Sequence, residues 1–94
     1  ILPLLTFKDF DEVIERANNN DLGLCSYIYT NDLKKANQAS ELMETGCVAV
    51  NTAAVAVAEA PFGGIKQTGY GREGGSMAIK DYLNIKYTHF GISY

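Results

Sequence analysis

The chain has 94 residues, of which 47% are hydrophobic and 20% charged, and it carries a formal net charge of -3. That length accommodates one small domain, and those proportions belong to a folded chain, not a disordered one. An acidic balance without a basic block excludes nucleic acid and anionic membrane surfaces as expected partners. The apolar opening Ile1–Leu5 stops at Thr6, Phe7 and Lys8, too short for a membrane span or a signal-peptide core.

The chain starts at Ile1 without a Met, and a piece of a longer protein is the expected origin. Leu2 to Phe7 reads as a short buried strand, with Pro3 confined to its start or edge. Asp9 then caps a helix, with Glu12 three residues on as in a capping box. Phe10, Val13, Ile14 and Ala17 fall on one face of that helix. Asn18, Asn19, Asn20, Asp21 and Gly23 stop it. Cys25 to Tyr29 reads as a second strand. Asn31 is the expected cap of a second helix with the apolar stripe Leu33, Ala36, Ala39 and Met43, ended by Gly46. Cys47 to Val50, apolar throughout, reads as a third strand covered on both faces.

This order is strand-helix-strand-helix-strand. Each crossover is long enough for a helix, so the expected sheet is parallel with right-handed connections. Three parallel strands and two helices leave sheet edges and part of one face open, whereas parallel sheets are normally covered on both. The fold class is therefore α/β, a slab of a larger domain. Beyond Asn51 comes the Ala/Val-rich stretch Thr52 to Ala60, then a glycine-rich loop. Ser76 is the expected cap of a short helix carrying Ile79, Tyr82 and Leu83. Ile85 to Phe90 alternates like a strand without a hairpin mate, so it must pair with a distant strand or another chain.

Cys25 and Cys47 lie 22 positions apart with no Cys-x-x-Cys spacing. They read as two reduced, buried thiols of a cytoplasmic protein. A disulfide or a metal site finds no partners in the sequence, which has a single histidine, His89. On a terminal strand, His89 reads as a surface or interface residue.

The run Pro61-Phe62-Gly63-Gly64-Ile65-Lys66-Gln67-Thr68-Gly69-Tyr70-Gly71-Arg72-Glu73-Gly74-Gly75 holds six glycines in fifteen residues. Gly69 to Gly74 fits the string G-x-G-x-x-G, which raises a small dinucleotide-binding protein as one reading. The fingerprint needs a strand before it, a helix on its last glycine and an acid about 20 residues further on. A loop precedes it here, and the chain after Gly74 is too short for the rest. Lys66 lacks the following Ser or Thr of a phosphate-binding Walker loop. A purely structural reading also stands: the glycines let the chain turn and approach other backbone.

Pro-Phe-Gly-Gly-Ile-Lys followed by Gly-x-Gly-Arg-Glu resembles the C-terminal signature of NAD(P)-dependent aldehyde dehydrogenases. Asn51-Thr52 and Asp81 to Tyr87 resemble the succinate-semialdehyde dehydrogenase branch, and the resemblance runs from Leu2 to Tyr87. It implies that residues 1–84 are the C-terminal part of the catalytic domain and that 85–94 are an oligomerisation strand and tail. Phe62 would line the substrate tunnel, with Ala56 to Glu59, Ala56 and Val57 foremost, on its rim. Gly63, Gly64, Arg72 and Glu73 would anchor the loop, the Arg-Glu pair by charge pairing, with Lys66 solvated or loop-anchoring. Branch members acting on succinate semialdehyde commonly carry a Ser six positions before the Phe, holding the substrate carboxylate; Ala56 stands there and cannot hydrogen-bond through its side chain.

The resemblance further implies that the nucleophilic cysteine, the general base and the cofactor site precede Ile1. Neither Cys25 nor Cys47 has the family's Gly-Gln-x-Cys-like setting, so the expected catalytic residues of this chain are none. NAD or NADP would serve the parent enzyme, and no cofactor or metal is expected on this chain alone. A small aldehyde would be the substrate, and strand 85–90 would pair subunits into a dimer or tetramer. From another class comes a non-catalytic assembly module that self-associates through open strand edges.

Overall fold

Asp9 holds extended backbone and its carboxylate accepts the amide of Glu12 at 2.8 Å, which starts helix α1 (Phe10–Asn18). Glu12 answers one residue earlier than in a capping box: its Oε2 accepts from the Lys8 amide at 3.0 Å. Glu12 also pairs with Arg16 one turn on, and Arg16 donates to the Thr6 carbonyl. This ties the preceding segment to the helix. The computed structural model describes residues 1–93.

After α1 come β1 (Leu22–Gly23), β2 (Cys25–Ile28), α2 (Leu33–Leu42), β3 (Cys47–Val50), β4 (Ile65–Lys66) and a 3-10 turn at Ala78–Tyr82. β2 and β3 run parallel, with Cys25 opposite Cys47 and Ile28 opposite Val50. Helix α2 is the crossover between them, as its length demands. β1 and β4 form a separate antiparallel pair, Leu22 opposite Lys66 and Gly23 opposite Ile65. This second pair brings the glycine-rich loop back onto the βαβ unit.

The architecture is α/β, but it departs from the expected three-stranded parallel βαβαβ sheet. Residues 2–7 form no strand and are exposed; Leu2, Leu4 and Leu5 are each at least 76% accessible. Residues 85–90 likewise form no strand, with Ile85, Tyr87 and Phe90 each at least 84% accessible. A strand exists only as half of a ladder, and no described residue supplies the other half. The β2 strand also stops one residue short of Tyr29.

The caps differ in detail. Asp32, not Asn31, caps α2, accepting the Lys35 amide at 3.0 Å. The Thr30 hydroxyl accepts the Asp32 amide, and Asn51 clamps Thr30 through both its amide and carbonyl. Those bonds fix Asp32, one residue later, in the cap conformation. Helix α2 ends at Leu42, before Gly46. Ser76 caps nothing: the 3-10 turn begins after Met77 with no side-chain cap bond.

The buried hydrophobic residues are Ala36 and Ala39 of α2 and Ala49 of β3, with Ser26 beside them. Alanines let α2 lie close on the sheet, but each contributes only about 1 kcal/mol of burial. Among the described residues no large side chain is fully buried, and the radius of gyration is 19.1 Å. A close-packed chain of this length would have about 12 Å. The difference lies in the two extended arms, which carry apolar side chains into solvent.

Candidate functional site

The glycine-rich loop is fixed by backbone geometry that only glycine permits. A methyl group on Gly46 would overlap the Gly63 carbonyl oxygen and stand 2.8 Å from Gly64 Cα. Gly46 therefore serves as the point where the β3 approach and the loop touch backbone to backbone, not as a helix stop. On the far side of the loop, Gly74 and Gly75 hold positive φ of 73° and 66° and run against residues 57–61. The Gly75 amide donates to the Ala58 carbonyl at 2.8 Å.

Phe62 sits between these two anchor points. It makes an isolated antiparallel bridge with Glu73, each amide donating to the other's carbonyl at 2.7 Å. The backbone of Phe62 is thereby set while its ring stays half-exposed. Phe62 shares an open cleft of about 310 Å³ with Gly63, Gly64, Arg72, Glu73 and Tyr82. Ala56 and Val57 lie outside that cleft, exposed on the stretch that leads to Phe62.

Arg72 does not act by charge pairing with its neighbour. Its Nη1 donates to the carbonyls of Gly64 at 2.8 Å and Gly71 at 2.9 Å. Among the described residues the side-chain ion pairs are Arg16–Glu12 and Lys66–Glu44. The guanidinium is a fork of donors and here closes the loop on the carbonyl oxygens of Gly64 and Gly71. Glu73 contributes through its backbone. The acid that does engage Arg72 is Asp81, whose Oδ2 accepts the Arg72 amide at 2.7 Å.

Lys66 ties the loop to both helices. Its Nζ donates to the Asn18 carbonyl at 2.8 Å and meets Glu44 at 2.8 Å. Asn18 in turn donates to the Leu42 carbonyl and accepts the Glu44 amide. A cation at a helix C-terminus is electrostatically favourable, and here one lysine joins the ends of α1 and α2. Thr68 adds a further tie, accepting the Gly23 amide at 2.8 Å. Lys66 takes the loop-anchoring role of its two expected ones, whereas the contacts of Asp81, Gly46 and Thr68 and the partners Asn18 and Glu44 of Lys66 were not expected from sequence. These contacts span 9 to 48 positions, beyond the reach of local pattern.

The run Gly69 to Gly74 does not fit a dinucleotide. No helix begins at Gly74, and β4 before it is only two residues long. The space beside Gly71 is taken by the Asp81 carboxylate, and that beside Gly74 by the carbonyls of residues 57, 58 and 60. Pyrophosphate needs amide donors and a helix N-terminus there, and it would meet negative oxygens instead. No cluster of three or more potential metal ligands occurs among the described residues.

Cys25 and Cys47 face each other across the parallel pair, both half-buried and free. Burial pushes the Cys25 thiol above its ordinary value, and the neighbouring Cys47 adds to this. Burial likewise raises the Tyr27 hydroxyl. A raised thiol value keeps the neutral form to higher pH. His89 Nδ1 lies 3.1 Å from the Tyr87 hydroxyl on the exposed C-terminal arm.

The sequence profile of the aldehyde dehydrogenase family matches residues 1–88, and the chain belongs to that family. It is 50% identical over 91 residues to a 3-sulfolactaldehyde dehydrogenase of Pseudomonas putida, covering 97% of this chain and 19% of that protein. It is 45% identical over 92 residues to the NADP(+) succinate-semialdehyde dehydrogenase GabD of Escherichia coli, covering 98% and 19%. The NAD+ complex of an aldehyde dehydrogenase from Bacillus cereus matches with a TM-score of 0.83 at 43% identity, over 87% of this chain and 17% of that one. The chain spans about a fifth of the length of the relatives it matches.

Proposed function

We propose that the chain is the C-terminal part of the catalytic domain of an NAD(P)-dependent aldehyde dehydrogenase. The whole enzyme oxidises an aldehyde to a carboxylic acid by way of a cysteine thiohemiacetal. Residues 1–84 belong to the catalytic domain and 85–94 form the oligomerisation strand and tail. The observation that carries this reading is the family match joined to the clamped Phe62, whose backbone is fixed at both carbonyl and amide while its ring remains open.

In this reading the chain's residues shape the site and do none of the bond chemistry. Phe62 presents an aromatic wall to the substrate and excludes water from one side of the reacting carbon. Ala56 and Val57 rim the tunnel. Gly63, Gly64, Arg72 and Glu73 hold the wall in place, since a loose wall would lose orientation in the bound aldehyde. The nucleophile, the base and the NAD(P)+ site lie outside residues 1–94, consistent with a glycine run whose surroundings do not fit a dinucleotide. The rim from Ala56 to Glu59 reads Ala, Val, Ala, Glu, and Ala56 offers no side-chain hydrogen bond to a substrate carboxylate.

The test is Phe62→Ala in the whole enzyme. The expected result is a fall of about tenfold in kcat/KM, or about 1.4 kcal/mol of transition-state binding, with the subunit assembly intact. An unchanged kcat/KM across aldehydes would remove Phe62 from the tunnel. Chain 1–94 alone should give no NAD(P)-dependent aldehyde oxidation, and turnover by it would overturn the fragment reading.

A second reading is favoured by the exposed arms: a cytoplasmic assembly module that pairs through residues 85–90. In the enzyme reading the same segment joins subunits into a dimer or tetramer. A strictly monomeric 1–94 at high concentration in light scattering would count against the stand-alone module.

A further inference from the structure

We propose that Cys25 and Cys47 are a dithiol that low-molecular-weight disulfides oxidise to an intrachain disulfide. The two residues are the first register pair of the β2–β3 parallel ladder. Parallel neighbours lie about 4.8 Å apart and point their side chains to the same face of the sheet. A disulfide accepts Cα separations of roughly 4.4 to 6.8 Å with Cβ atoms directed alike. Ladder register therefore places the two Cα atoms within the separation that a disulfide accepts. Both thiols are half-buried and free, so they are reachable by a small reagent.

The chemistry balances as two successive exchanges. One cysteine loses its proton, and its sulfur attacks the small disulfide, forming a mixed disulfide and releasing one small thiolate. The second cysteine, also deprotonated, then attacks the protein-side sulfur of the mixed disulfide and expels the second small thiolate. Two protein thiols are oxidised, one small disulfide is reduced to two thiols, and the two protons go to the departing thiolates.

Oxidation would reach the loop. The Cys47 thiol donates to the Gly63 carbonyl at 3.7 Å, the residue next to Phe62. A disulfide removes that hydrogen and draws the sulfur toward Cys25, so the redox state of the pair is read by the segment holding Phe62. The proposal rests on the ladder register and is independent of the assigned catalytic function.

The experiment is oxidation of the whole, native polypeptide with oxidised glutathione, blocking of residual thiols with N-ethylmaleimide, and tryptic mapping without reduction. Cleavage at Arg16, Lys34, Lys35 and Lys66 separates the two cysteines into peptides 17–34 and 36–66. The expected result is one linked species joining these peptides, independent of protein concentration and lost on adding dithiothreitol. In Cys25→Ser the link should vanish and a glutathione adduct on Cys47 should take its place. Peptides that carry only maleimide or glutathione in the wild type would overturn the proposal. So would a link that forms only in denaturant, because native register would then not be its cause.

Discussion

The glycine-rich loop is poor in large apolar side chains and the two arms are rich in them, yet it is the loop that is held to the body of the chain. The loop, from Pro61 to Gly75, returns to the βαβ unit at three places: the β1–β4 pair, the Gly46–Gly63 contact and the Lys66 cluster. The arms, 1–7 as an apolar run and 83–93 with the alternating stretch 85–90, read as strands but extend into solvent with no ladder partner among the described residues. Side-chain pattern alone does not make a strand; a second backbone must be within hydrogen-bonding reach. The loop finds such backbone inside the chain, and the arms do not.

The sharpest way to break this contrast is to substitute glycines in the two regions. Gly46→Ala should open the loop locally by about 3 kcal/mol, because the added methyl meets backbone that has nowhere to go. Gly91→Ala on the C-terminal arm, with nothing within 4 Å, should change local stability by less than about 0.5 kcal/mol. Native-state hydrogen exchange of the loop amides reads both. Equal effects would mean that the close approach is absent.

Next in size is the Arg72 closure. Arg72→Met should weaken protection of the loop by about 2 kcal/mol through loss of two charge-assisted bonds to carbonyls. Glu73→Gln should leave it within about 0.5 kcal/mol, since Glu73 acts through its backbone. If the two variants behave alike, charge pairing between these neighbours would be restored as the anchor.

Smaller again is the cap of α2. Asp32→Ala should cost about 1 kcal/mol of helix stability, read by exchange in residues 33–36. Asn31→Ala should have no measurable effect. The reverse order would place the cap one residue earlier.

The smallest effect concerns the Cys25 thiol, whose value is raised by burial and by Cys47. A raised thiol value keeps the neutral, unreactive form to higher pH. Alkylation of Cys25 should therefore lag that of free cysteine at neutral pH and rise only as pH passes its elevated value. A rate equal to that of free cysteine at every pH would show Cys25 to be neither desolvated nor coupled.

Local features were the legible part of the sequence. The Asp9 cap, the α1 face, the β3 run and the parallel relation of β2 and β3 all follow from patterns spanning a few residues or from crossover length. What escaped notice depends on distant partners. Gly46 reads as a helix stop until the Gly63 carbonyl is seen beside it, and Asp81 looks like an ordinary surface acid until it receives the Arg72 amide. The facing of Cys25 and Cys47 was hidden in the same way: a separation of 22 positions becomes direct opposition once the α2 crossover sets the register. Phe62 stood out only through the resemblance of its motif, because nothing in composition or periodicity distinguishes one phenylalanine before two glycines.

The central claim is that the arms are strands whose partners lie elsewhere in an aldehyde dehydrogenase and its assembly. Amide hydrogen exchange of residues 2–7 and 85–90 in the whole enzyme tests it most directly. The account predicts protection comparable to that of β2 and β3. Exchange at the rate of unstructured chain in both arms would contradict it.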